Sequence, residues 1–225
     1  EMCIRDRSWS YQGNVPQSLI YLDLVALIDF NKLQSAEVDK TYYPFFSLDN
    51  CLLDNPSCAA LAKDFPDIKS GGSIPPSSIN LEESIKKLIS DLESEEMKAI
   101  LEEKLNVDLS NSEIVTTLRG FSRKKDGKIH TDSKSKIITL LLYLNESWEY
   151  ETGKLRMLKN EENLDDFIKE IPATLGSVVA FKVTENCFHG FLPFEGKRQS
   201  IQMNYVYRKN VKTHKLRHFL SSLFK

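Results

Sequence analysis

A β sandwich or barrel buttressed by helices is the architecture this sequence predicts, a mainly β fold with a helical N-terminal part. Three observations predict it. Short segments rich in β-branched and aromatic residues crowd into residues 114–208, separated by turn signals. Before them, apolar residues recur at helical spacing. The whole chain has 225 residues, 41% of them hydrophobic, which suits one sizeable core rather than several domains.

The elements follow in chain order. Met2-Cys3-Ile4-Arg5-Asp6-Arg7 reads as translated adapter sequence, so residues 1–10 are set aside as an expected non-native leader. Residues 11–112 then form the expected helical region. Residues 17–34 are apolar-rich and read as a helix of ambiguous periodicity. Tyr42-Tyr43-Pro44-Phe45-Phe46 is an extended segment whose proline relegates it to a sheet edge. Asn55-Pro56 places a cap and a first-turn proline at the start of a helix that stops before Pro66. The Gly-, Pro- and Ser-rich stretch 70–78 is a connector. Asn80 with Glu83 resembles a capping box ahead of Leu81, Ile85, Leu88 and Leu92. Ser94 caps a further helix carrying Met97, Ile100, Leu101 and Leu105.

Residues 113–208 hold the expected β core, with strands at Ile114–Phe121, Lys136–Asn145, Lys154–Leu158, Ser177–Val183 and Arg198–Arg208. Residues 209–225 continue a basic stretch without acids, whose Leu216, Phe219, Leu220, Leu223 and Phe224 fit one face of a terminal helix.

Composition excludes some functions. A net charge of -2 gives no global reason to expect nucleic acid as a partner. No apolar run approaches the roughly 20 residues needed to cross a bilayer, and no secretory signal is evident. Cys3, Cys51, Cys58 and Cys187 are scattered without a CxxC pair, which reads as free thiols in a reducing cytoplasm. Oligomeric state is open.

Chemistry concentrates around His130-Thr131-Asp132, just before the strand that begins at Lys136. Residues two apart in extended chain point the same way, so an imidazole and a carboxylate can converge on one ion. A third ligand must come from elsewhere in a chain with four histidines. His214 and His218 lie in the basic tail, whereas His189 lies between two strands that could return it to the first pair. Two histidines and one carboxylate leave coordination positions open, which suits Fe(II). A structural zinc site would close all four. Nearby, alternation puts Arg198, Ser200, Gln202 and Asn204 on one face of their strand, with Ile201, Met203 and Tyr205 on the other. Thr139, Leu141 and Tyr143 likewise share a face opposite Ile138, Leu140, Leu142 and Leu144. A polar face inside a barrel implies a wet pocket, and Arg198 supplies a planar fork for a carboxylate.

His130-Thr131-Asp132, Leu142-Tyr143-Leu144-Asn145-Glu146-Ser147-Trp148, Gly153-Lys154-Leu155-Arg156, His189 and Arg198-Gln199-Ser200 together resemble the Fe(II)/2-oxoglutarate-dependent oxygenases, nearest their prolyl-4-hydroxylase-like branch. The resemblance spans residues 114–208 and implies a double-stranded β-helix (jelly roll) core. It implies His130, Asp132 and His189 as catalytic iron ligands, Arg198 and Tyr143 on the far carboxylate of 2-oxoglutarate, and Ser200 as a helper. Fe(II) would be the cofactor and 2-oxoglutarate the co-substrate, with ascorbate as an accessory reductant. The implied reaction hydroxylates a small molecule or a protein side chain and forms succinate and CO2. Asp132 departs from halogenases, which carry a small residue there. Prolyl hydroxylases often have a tyrosine about ten residues before the first ligand, where this chain has Arg119-Gly120-Phe121-Ser122. Two other readings stay open: an inactive 2-oxoglutarate- or metal-binding sensor module, and a cupin-like enzyme using another divalent metal.

Overall fold

The structure is a computed structural model that describes residues 26–208. The expected leader 1–10, residues 17–25 of the first expected helix and the basic helix 209–225 lie outside the described residues. Within them, all named strand pairs are antiparallel and form two sheets. The larger has strand order β1-β6-β3-β8-β2 and the smaller β5-β4-β7. The strands are β1 Phe45–Leu48, β2 Ser112–Ser122, β3 Lys136–Tyr143, β4 Leu155–Leu158, β5 Phe167–Ile171, β6 Val178–Lys182, β7 His189–Gly190 and β8 Gly196–Tyr207. Four helices precede β2: α1 Phe30–Ser35, α2 Pro56–Asp64, α3 Glu83–Leu92 and α4 Glu95–Leu105. The helical part is therefore modest, four short helices with β1 set among them.

The larger sheet is covered on both sides, which explains why β3 reads as an almost unbroken apolar run. Ile138, Leu140, Leu142 and Leu144 face a core shared with Ile85, Leu88 and Leu92 of α3 and Met97, Leu101 and Leu105 of α4. Leu141 and Tyr143 face a second core with Leu155, Met157 and Ile171 of the smaller sheet. β8 alternates in the same way. Its Ile201, Met203 and Tyr205 join the helix-side core, while Arg198, Ser200, Gln202 and Asn204 are buried on the side of the smaller sheet.

Several local signals act as their chemistry suggests. The Asn55 side chain accepts from Cys58 N, and the helix it caps gives way at Phe65, before Pro66. Ser94 accepts from Met97 N at the start of α4, and Asn106 closes it in the left-handed conformation. β1 lies at the edge of the larger sheet, with Pro44 just outside it. The stretch 70–78 runs beside β2 through bridges Gly71↔Phe121 and Ile74↔Leu118, as a connector would.

Two expectations need correction. Residues 26–29 are not helical: Ile28 bridges Leu52, Asp29 N donates to Cys51 O, and Leu27 N donates to the buried Asp91 carboxylate at 2.7 Å. Those tertiary partners take the amides a helix would have used, so α1 begins only at Phe30. Asn80 caps nothing either, because α3 starts at Glu83 with Glu82 as an N-cap that makes no side-chain bond.

Candidate active site

The site is built where β7 meets the loop before β3. His130 and His189 pair across an isolated antiparallel bridge, exchanging backbone hydrogen bonds of 3.0 and 3.1 Å. That pairing brings the two rings to a centroid distance of 4.3 Å. Asp132 follows two residues on. One ligand atom from each of His130, Asp132 and His189 lies within 4.8 Å of the others. Among the described residues this is the one cluster of three or more such groups able to share a cation.

Each side chain is oriented by a second partner. The His130 Nδ1 lies 2.8 Å from the carbonyl of Lys128, and the His189 Nδ1 lies 2.8 Å from that of Cys187. A donor bond from Nδ1 fixes the tautomer and leaves the Nε2 lone pair for a metal. Burial pushes the His189 imidazole down to about 4, against the pull of Asp132, which keeps that lone pair free of a proton. Asp132 is set the opposite way. Burial raises its carboxyl, but the Lys136 ammonium, His189 and hydrogen bonds from Lys136 and Thr139 outweigh it and hold it well below the usual carboxylate range. Lys136 Nζ reaches Asp132 Oδ1 at 2.8 Å, and the Thr139 hydroxyl donates to Oδ2.

From this cluster a cavity of ≈140 Å³ runs between the sheets. Leu141, Leu155 and Phe191 form its apolar wall, and Tyr143 and Arg198 line it with the three ligand-type residues. Thr139 and Tyr143 stand four residues apart on one face of β3, roughly 14 Å along the strand. Arg198 is buried; its Nη2 donates to Tyr143 Oη at 2.9 Å and its Nε to Gly153 O at 2.7 Å. Phe191 also stacks beneath the guanidinium, 4.2 Å from ring centroid to Cζ. Among the described residues Arg198 has no carboxylate partner. Ser200 is opposite Tyr143 on one side and Arg119 on the other, and its hydroxyl is buried without a protein partner.

All six side chains singled out from the sequence thus fall at this cavity or in the strand row behind it. Others emerge only in three dimensions. Asn145 accepts from Gln199 N and donates to Ala173 O, locking the end of β3 to the strand that carries Arg198. Gly153 has φ +81, and a Cβ there would sit 2.7 Å from Trp148 Cζ2, so only glycine fits the turn that offers its carbonyl to Arg198. Lys136 and Thr139 were visible as strand residues, but nothing in their spacing marks them as partners of Asp132. Arg119 also lines the cavity, where the family resemblance led us to look for a tyrosine.

Residues 118–206 match the family model described as the 2OG-Fe(II) oxygenase superfamily. No curated protein matches the chain in sequence. In fold, the chain is similar to a Pseudomonas putida prolyl-4-hydroxylase at 18% identity and TM-score 0.54, over 80% of this chain and 91% of that one. It is also similar to a Trichoplax adhaerens prolyl hydroxylase, whose structure includes a hypoxia inducible factor peptide fragment. There the identity is 17% and the TM-score 0.51, over 87% of this chain and 95% of that one. These likenesses show the fold: the two sheets form a jelly-roll core. The segment that matches the 2OG-Fe(II) oxygenase model, residues 118–206, holds the His130–Asp132–His189 cluster and the Arg198–Tyr143 pair.

Proposed function

We propose that the protein is an Fe(II)- and 2-oxoglutarate-dependent dioxygenase that hydroxylates a small molecule or a protein side chain, with succinate and CO2 as co-products. One observation carries the reading. A single cavity holds a His-Asp-His cluster and, further along, a buried guanidinium with no carboxylate of its own. The donor set fits the metal: two imidazoles and one carboxylate suit Fe(II) and leave positions open for a chelating co-substrate. His130, Asp132 and His189 would hold the iron. Arg198 and Tyr143 would hold the far carboxylate of 2-oxoglutarate, with the Ser200 hydroxyl as a further donor.

Bound there, iron and 2-oxoglutarate supply the activation of dioxygen and the oxidising power for hydroxylation. The chain supplies position and electrostatics. Lys136 and Thr139 hold Asp132 ionised and oriented, and the Lys128 and Cys187 carbonyls aim the two imidazoles. The apolar wall of Leu141, Leu155 and Phe191 excludes water around the Arg198 fork, which strengthens its grip on an anion. The peptide in the Trichoplax adhaerens neighbour makes a protein side chain a reasonable substrate class, and the small cavity admits one side chain or a small molecule. The free thiols Cys51, Cys58 and Cys187 favour a reducing compartment such as the cytoplasm. No described helix is long and apolar enough to cross a membrane.

Calorimetry with Mn(II) in place of Fe(II) tests this without a known substrate. The loaded wild type is expected to bind 2-oxoglutarate, Arg198→Ala at least about tenfold more weakly, and Asp132→Ala not at all. A wild type that takes up the metal and ignores 2-oxoglutarate would contradict the assignment.

A further inference from the structure

The cavity contains one more arginine than the proposed function uses. Its charged lining residues are Arg119, Asp126, Asp132, Lys136 and Arg198. Three of them, Asp126, Asp132 and Lys136, are cancelled locally. Asp126 receives the Arg123 guanidinium at 2.9 Å and the Arg123 backbone amide at 2.9 Å. Asp132 receives Lys136 at 2.8 Å. That leaves Arg198, already matched to the far end of 2-oxoglutarate, and Arg119.

Arg119 makes no side-chain hydrogen bond or ion pair among the described residues, and its Nε is fully buried without a partner, although the residue as a whole is only half-buried. Leaving a charged donor buried and unsatisfied is costly, and native structures seldom carry one without a purpose. Burial and the nearby Arg198 charge both push its proton affinity down, while Asp132 and Asp126 lie too far to bond it and only offset this. No protein acid is placed to neutralise it. The loop that carries Asp126 and Gly127 into the cavity wall also bears Lys124, Lys125 and Lys128, so the approach is basic as well. In register, Arg119 stands on β2 opposite Ser200, which stands opposite Tyr143 on β3. The guanidinium therefore enters the cavity from β2, the strand that flanks β8 on the side away from Tyr143.

We propose that Arg119 is a second carboxylate-binding residue of this cavity, separate from the Arg198 fork. The inference rests on the oxygenase reading above. The carboxylate can come from either of two sources: an anionic substrate, or the co-substrate itself. The residue type favours a carboxylate over a neutral group, because a guanidinium presents paired donors that match its two oxygens. Since Arg119 supports no protein partner, replacing it leaves no other protein group unsatisfied.

The test uses the full chain, loaded anaerobically with Fe(II), as wild type, Arg119→Gln and Arg119→Lys, each checked for native thermal unfolding. 2-Oxoglutarate is titrated first, followed by absorbance. Acetate is then titrated calorimetrically into the protein saturated with Fe(II) and 2-oxoglutarate. If the co-substrate is the source, Arg119→Gln raises the half-saturating 2-oxoglutarate concentration about tenfold or more, with Arg119→Lys between. If the substrate is the source, 2-oxoglutarate binding is unchanged and acetate binds the wild type but not Arg119→Gln. A normal wild-type absorbance response with Arg119→Gln indistinguishable in both titrations overturns this inference alone. A folded wild type with no response to Fe(II) and 2-oxoglutarate overturns the oxygenase reading and this inference with it.

Discussion

Thr139 and Lys136 divide the two oxygens of Asp132 between them, so the carboxylate arrives at the metal position already oriented. Groups that orient a metal ligand commonly account for 10–100-fold in metal affinity. Thr139→Val keeps the shape and removes the donor. It is expected to weaken Fe(II) binding about tenfold, measured by competition with a chelator, with little change in fold because the valine still packs beside Leu141. His189 gives a pH prediction for the metal-free protein. Its folded value of about 4 lies below the ordinary 6.5, so the unfolded chain takes up the proton first as acid is added. Its contribution to stability is complete above about pH 6.5 and drains away as the pH falls from there to about 4. Thermal unfolding of the apoprotein should therefore move to lower temperature across that window, and His189→Gln should flatten the slope. An equally steep slope in the variant would assign the effect to other groups. At this scale the sequence was readable where chemistry is rare: four histidines, one His-x-Asp, one Arg-x-Ser at the head of a strand. Thr139, Lys136 and Arg119 belong to common residue types, and only their meeting in the cavity distinguishes them.

At the scale of elements, β8 carries most of the design. Its inner row supplies Arg198 and Ser200 to the cavity side, and its outer row anchors the sheet on α3 and α4. Strict alternation over β8 and β3 made both faces legible, because each strand separates two different surroundings. β5 and β7 were not foreseen. β5 reads Phe-Ile-Lys-Glu-Ile at the edge of the smaller sheet, with no apolar–polar alternation to mark it, and β7 is two residues long, with no room for a period to show. The helices were legible through their caps where a side chain does the capping, as at Asn55 and Ser94. At Asn80 the sequence pattern was present but the chain enters α3 two residues later. Ser94 gives a clean check: Ser94→Ala removes the bond to Met97 N and should cost about 1 kcal/mol in denaturant unfolding. No change would mean that packing of Met97 and Leu101 alone sets the start of α4.

Over the whole molecule, two cores share one sheet. The helix-side core fixes the larger sheet, while the thinner core between the sheets ends in the cavity, so stability and chemistry occupy opposite faces of the same strands. The jelly roll was anticipated through the resemblance of residues 114–208, and the modest helical part was overestimated because residues 26–29 satisfy their amides through Asp91, Cys51 and Leu52 rather than through a helix. The central claim is that this cavity binds Fe(II) and 2-oxoglutarate together. The most direct measurement is the anaerobic absorbance spectrum of wild type, His130→Ala and Arg198→Ala as Fe(II) and then 2-oxoglutarate are added. A visible charge-transfer band is expected in the wild type, absent in His130→Ala and requiring much more 2-oxoglutarate in Arg198→Ala. A folded wild type that shows no band would contradict the central claim.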